Sequence, residues 1–183
     1  MYKSQKVLSI LALLVLSACG APAESSIQVD NDLAIESGAN LAGADLRKVN
    51  LTDAWLEGAN LVSALINNVN LDNANLIGAN LTGSNLEGSS LQRADLRGAN
   101  LTNTIMMKAN LYGANLTGAN LTNAQLVDAI LTDASLTGAD LTGANLDGAN
   151  LQGADLTYVN LDSAQLYGAK LTGARMPDGT IHE

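Results

Sequence analysis

The side chains that could carry covalent or acid–base chemistry are few and widely separated. Cys19 is the only thiol and His182 the only imidazole, and no cysteine or cluster of carboxylates lies near His182. A histidine so placed has neither a nucleophile to activate nor a second ligand with which to hold a metal. No serine-hydrolase elbow, phosphate-binding loop or zinc spacing occurs in the chain. Asp30-Asn31-Asp32 opens like a calcium loop, but the glycine needed at the sixth position and the glutamate at the twelfth are missing. Asp128 and Asp133 could bind a divalent cation loosely, although scattered solvated acids are the better account of them. The expectation is a protein that is not an enzyme, with no catalytic residue, cofactor or metal.

The element that must position everything else is a repeat. From Ala39 to Gly173 the chain is 135 residues of unbroken five-residue period, or 27 pentapeptides. The central residue is Leu in 25 of them, the exceptions being Ile66 and Met106. Ala stands two before it in 21, Asn or Asp one before it in 18, and Gly two after it in 14. Such a period marks a repeat architecture. Five residues advance an α-helix by about 140°, so the leucines would define no helical face. In a continuous strand an odd period would send successive leucines to opposite faces. The pattern is consistent only if the chain turns a corner in every repeat. In an extended triplet such as Ala114-Asn115-Leu116, Ala and Leu then face inward and Asn faces out. Thr117-Gly118 carries the corner.

These residues resemble the pentapeptide-repeat family, whose consensus reads Ala-(Asn/Asp)-Leu-x-x, as in Ala119-Asn120-Leu121-Thr122-Asn123. The resemblance implies an all-β fold, a right-handed quadrilateral β-helix with four repeats per turn and nearly seven coils. At the strand spacing of about 4.8 Å the rod would be roughly 32 Å long. Its core would be stacked leucines edged by alanines, too narrow for a ligand cavity.

Ahead of the repeat, Met1–Lys6 carries two lysines and Val7–Leu16 is apolar, which reads as a secretory signal peptide too short to span a membrane. Leu16-Ser17-Ala18-Cys19 resembles a bacterial lipobox, in which the cysteine is lipidated and becomes the first residue of the mature chain. Residues 1–18 are thus read as leader and 19–26 as a small, polar tether. Residues 27–38, with Ile27, Val29, Leu33 and Ile35 out of register with the repeat, are read as an N-terminal cap. Residues 174–183, opening with the turn signal Met176-Pro177-Asp178-Gly179, are read as a C-terminal cap or tail. Acyl chains on Cys19 would hold the protein on a bilayer of the cell envelope. The absence of Asp at Gly20 favours the outer membrane in a Gram-negative cell.

Removing Lys3 and Lys6 leaves seven bases against 18 acids, a formal charge of −11. Such a surface repels nucleic-acid phosphates, so no nucleic-acid partner is expected. Some family members are DNA mimics that occupy topoisomerases, and an acidic rod suits that alternative, but export from the cytoplasm opposes it.

With residues twenty apart stacked, the four faces can be read separately. The face of Leu41 to Leu161 is regular, carrying one ladder of Asn40, Asn60, Asn80, Asn100, Asn120, Asp140 and Asn160 and another of Thr82, Thr102, Thr122 and Thr142. Stacked amides are expected to bond up and down such a column. The face of Leu46 to Leu166 breaks the pattern with Leu65, Ile105, Met107, Val127 and Tyr167 at outward positions, near Lys108 and Glu87. An apolar patch with a charged rim marks a contact surface, here for a protein partner of unknown identity. Trp55, beside Ile77, is assigned to covering the N-terminal end. A monomer is expected, because Leu166 and Leu171 stand where family members that pair end to end carry aromatic residues.

Overall fold

The computed structural model describes residues 27–28 and 37–183. Its two short strands, β1 (Ile27–Gln28) and β2 (Val49–Asn50), pair in parallel with Ile27 opposite Val49 and Gln28 opposite Asn50. The offset of 22 residues differs from the 20 that separates every pair within the repeat. Within the repeat the backbone is built from single parallel bridges, since each pentapeptide is extended for only about three residues before it turns.

The bridges fall on four ladders. One runs through Asn40, Asn60, Asn80, Asn100, Asn120, Asp140 and Asn160. The second runs Asp45, Leu65, Asn85, Ile105, Gln125, Asn145 and Gln165. The third joins Asn70 to Lys170 and the fourth Trp55 to Arg175, each in steps of 20 residues. The chain therefore winds as a coil of four sides, and every residue lies beside its counterpart four repeats away. The bridge between Asp155 and Arg175 carries this geometry one pentapeptide beyond Gly173, and Ala174 is fully buried like the alanines below it.

Each corner has the same chemistry. The N–H of Ala119 donates to the carbonyl of Leu116 at 2.9 Å, closing a four-residue turn whose third member, Gly118, has φ +66°. A positive φ at that place is the demand of a type II turn, which Gly meets without steric cost and Asn and Asp meet tolerably. Twelve residues other than Gly adopt a positive φ there, and seven of them are Asn or Asp.

Inside, the central leucines of the pentapeptides from Leu51 to Leu156 are at most 1% exposed, as are Ile66 and Met106. At about 25 cal/mol per Å² of apolar surface, this column supplies most of the driving force for folding. The two ends differ. Leu41 and Leu46 are still buried, at 4% and 2%, whereas Leu161, Leu166 and Leu171 are only partly covered. No helix among the described residues is long and apolar enough to cross a membrane.

Candidate functional site: an irregular apolar face

On every face the outward residue before the leucine shapes the corner that follows. The Oδ1 of Asn115 accepts from the backbone N–H of Thr117 at 3.1 Å and from its hydroxyl at 2.7 Å. The same pair of bonds joins Asn80 to Thr82, Asn100 to Thr102 and Asn120 to Thr122. These are local Asx turns. They correct the expectation of a vertically bonded ladder. Along the Asn40 column, amide bonds between levels are confined, among the described residues, to Asn60 Nδ2 with Asn40 Oδ1 at 3.0 Å and Asn160 Nδ2 with Thr142 Oγ1 at 2.9 Å. The carbonyl oxygen is already taken by its own corner, so most amide N–H groups are left facing outward.

Where Asp replaces Asn, the donors act on a charge. The hydroxyl and N–H of Thr142 hold the Asp140 carboxyl below the usual carboxylate range, and Thr157 does the same to Asp155. Arg47 lowers Asp45 and Arg97 lowers Asp95, each through a side-chain hydrogen bond within an ion pair of 2.6 Å. Both pairs lie at the surface, where solvent screening leaves little net stabilisation.

The second face departs from this scheme. Ile105 stands in the ladder between Asn85 and Gln125, so the Asx turn is lost there. Glu87, Met107, Val127, Asp147 and Tyr167 occupy one column in that order. Gly88 N–H donates to the Met107 carbonyl at 2.9 Å, Lys108 N–H to that of Val127 at 2.9 Å, and Asp128 N–H to that of Asp147 at 3.0 Å. Ile105, Met107 and Val127 are thus neighbours on adjoining levels, each half-buried, with Glu87, Lys108, Asp128 and Asp147 around them. Leu65 lies two levels before Ile105 on the ladder and is 39% exposed. Tyr167 is set apart at the C-terminal level, 88% exposed, its N–H donating to Asp147 Oδ1 at 2.8 Å. Four of the predicted residues therefore share one stretch of the face, and the fifth marks its end.

The interior beneath this stretch is irregular too. Ser84 and Thr104 replace alanine on consecutive levels, both fully buried. Thr104 Oγ1 donates to the Leu101 carbonyl at 2.7 Å, but Ser84 Oγ has no partner among the described residues. Polarity is partly inverted here, with hydroxyls inside and apolar side chains outside.

Sequence reasoning passed over several exposed apolar residues. Ile130, 40% exposed on the adjoining face, breaks the Asn ladder between Asn110 and Asn150 in the same manner as Ile105. Tyr112 on that face is 37% exposed. Tyr158, 79% exposed, takes a corner position at φ +60°, and an aromatic residue where the repeat calls for Gly was the available signal. Trp55 lies beside Asn75 on its ladder and is 53% exposed, so it projects outward and does not close the end of the coil. Cys19 and Asp30-Asn31-Asp32 lie outside the described residues. Asp128 and Asp133 occupy consecutive corners, and no group of three or more His, Cys, Asp or Glu among the described residues is placed to hold a metal ion.

Comparison with curated proteins finds no match. Among solved structures, the chain is similar to HetL, a pentapeptide repeat protein involved in heterocyst differentiation regulation from the cyanobacterium Nostoc sp. strain PCC 7120. The two are 27% identical over 93% of this chain and 98% of that one, with a TM-score of 0.33. A pentapeptide repeat protein of the Arabidopsis thaliana thylakoid lumen is 32% identical over 58% of this chain and 71% of its own, with a TM-score of 0.41. QnrB1, a plasmid-mediated fluoroquinolone resistance protein, is 20% identical over 78% and 87%, with a TM-score of 0.42. The family model described as pentapeptide repeats matches eight copies, over residues 37–62, 64–107, 94–133, 109–147 and 134–173. With that match over most of the length, and a five-residue corner chemistry that recurs from Leu41 to Leu171, the chain belongs to the pentapeptide-repeat family.

Proposed function

We propose that this protein is a non-enzymatic, lipid-anchored component of the bacterial cell envelope, whose rigid quadrilateral rod of about seven coils presents one face to a protein partner. The observation that carries the reading is the coincidence of two features. The apolar run Val7–Leu16 ends in Leu-Ser-Ala-Cys, placing the only thiol where lipid attachment requires it. Ile105, Met107 and Val127 form an outward apolar cluster on adjoining levels with a charged rim. Acylation of Cys19 supplies a membrane affinity that grows with each buried methylene and restricts the rod to the bilayer surface. The outer membrane is favoured in a Gram-negative cell. An apolar centre ringed by charge is the anatomy of a protein contact.

Metabolic labelling with an alkyne fatty acid tests the anchor. The expected result is label on the native chain and none on Cys19→Ala, with native protein in the membrane fraction. Unlabelled native protein in the cytosol overturns the assignment. For the partner face, Ile105→Glu together with Val127→Glu is expected to abolish photo-crosslinking from the neighbouring Lys108 position in intact cells while leaving the circular dichroism spectrum unchanged. An undiminished crosslinked product means the contact lies elsewhere.

A further inference from the structure

Successive coils are joined by an unequal set of backbone bonds. Each side directs two N–H groups, those of the leucine and the residue two after it, toward the C-terminal neighbour, and it receives only one N–H from that neighbour. Leu141 and Gly143 donate to Asn160 and Asp162 at 2.9 Å each, and Asn160 donates back to Ala139 at 3.1 Å. Leu146 and Gly148 repeat this with Gln165 and Tyr167, and Gln165 returns a bond to Ala144. The C-terminal edge of the rod is therefore rich in donors, with two N–H groups and one carbonyl per side.

On the last coil most of this edge has nothing to bond. The N–H groups of Leu161, Ser163, Leu166, Gly168 and Leu171 have no partner among the described residues, and neither do the carbonyls of Val159, Ala164 and Ala169. Beside them Leu161, Leu166 and Leu171 are only partly buried, whereas Leu141, Leu146 and Leu151 one level below are at most 1% exposed. One corner of the same edge is filled, and it shows what fits. The tail returns antiparallel, with Ile181 beside Arg175. It accepts from Gly173 N–H through the His182 carbonyl and from Met176 N–H through the Thr180 carbonyl, at 2.8 and 2.7 Å. It donates once, from His182 N–H to the Ala174 carbonyl at 2.8 Å. Two acceptors and one donor match the edge's two donors and one acceptor.

We infer that the two open sides of the terminal coil, at Leu161 and Leu166, and the half-open side at Leu171 are a docking edge for a segment of another polypeptide that runs extended along each side and turns at the corners between them. Main-chain bonds of the kind the tail makes supply the affinity, and apolar side chains two residues apart along each side fill the gap above the leucines. A second copy of this end is a poor occupant. It would bring two donors and one acceptor per side against two donors and one acceptor, leaving buried N–H groups unpaired. This edge is distinct from the Ile105–Val127 face and does not depend on it.

The test is selection of a displayed seven-residue peptide library on the full chain, with recovery compared on Leu166→Lys, which puts a charge at the centre of the edge. The expected result is enrichment of peptides with apolar residues two apart, with recovery at least tenfold lower on the variant. Hydrogen exchange on the native chain provides a readout independent of the variant's folding. A selected peptide should slow exchange at Leu161, Leu166, Gly168 and Leu171 and leave the amides around Ile105 unchanged. No enrichment, or protection at other amides, overturns the inference. A chain that sediments as a dimer with these amides already protected overturns it too, since the occupant would then be a second copy.

Discussion

The face of Leu41 to Leu161 and the face of Leu46 to Leu166 are built on the same backbone and have diverged in opposite respects. On the first, the outward positions between Asn60 and Asn123 carry no charge, the Asn–Thr pair recurs level after level, and alanine holds the inner position from Ala39 to Ala139. On the second, Ile105 has displaced an Asx turn, Met107 and Val127 face outward, and Ser84 and Thr104 have entered the core. The backbone bonds between levels are the same length on both, 2.7 Å from Leu101 to Asn120 and 2.7 Å from Met106 to Gln125. The coil is thus held by main-chain pairing and the central apolar residue. The outward residues are free to change once these are satisfied, which is how a regular solenoid can carry one specialised face.

The largest effects should come from the centre of the coil, and they should separate the faces. Leu121→Ala on the regular face removes a fully buried side chain from a column with leucine above and below, and a loss of about 2–5 kcal/mol is expected. Met106→Leu on the irregular face keeps the volume and should change stability by less than about 1.5 kcal/mol. Urea unfolding followed by circular dichroism checks both. If Leu121→Ala costs no more than Met106→Leu, the columns are not packed to equal density and the two faces do not share one core.

The coil itself was legible in the sequence, because an odd period with Ala, Leu and Gly at fixed places admits few backbone paths. The apolar residues at Leu65, Ile105, Met107, Val127 and Tyr167 were legible for the same reason, as departures from a known outward position. Their degree of exposure was not. Met107 and Val127 lie in a column between Glu87 and Asp147 and are half-covered, whereas Tyr167 stands at the last level and is almost bare. The Asn ladders were legible as positions but not as bonds, since each Oδ1 has two competing donors and the corner N–H, two residues away, is nearer than the next coil. The return of Ile181 beside Arg175 depends on the direction in which the chain leaves its final corner, which no periodicity encodes. Cys19 rests on the sequence alone.

The hydroxyls beneath the irregular face sharpen the contrast at smaller amplitude. Ser84 Oγ is fully buried without a partner among the described residues, so Ser84→Ala removes the cost of an unpaired polar group, and stabilisation of about 1 kcal/mol is expected. Ala99→Ser, the same exchange reversed on the regular face, should destabilise by a similar amount. Thermal unfolding of the two variants should move in opposite directions. A loss of stability in Ser84→Ala would mean that Ser84 has a partner in solution, and the face would then be less inverted than its geometry implies.

The smallest effect concerns the one acid in the regular ladder. Asp140 takes the place of Asn, and the hydroxyl and N–H of Thr142 both donate to its carboxylate, lowering its pKa. A carboxyl lowered on folding contributes stability that is present above its unfolded value, near 3.9, and is lost as the pH falls through the folded value. Thr142→Val removes the stronger of the two donors and leaves the N–H, so carboxyl resonances followed by NMR should show Asp140 titrating at higher pH in the variant, closer to the usual range. The stability difference between native chain and variant should narrow as the pH is taken from about 5 to below the native midpoint, because both forms are then neutral and the charged bond no longer distinguishes them. An unchanged Asp140 midpoint would show that the hydroxyl does not engage the charge. The outward pairs of the regular face would then contribute no more to stability than the apolar residues that replace them on the irregular one.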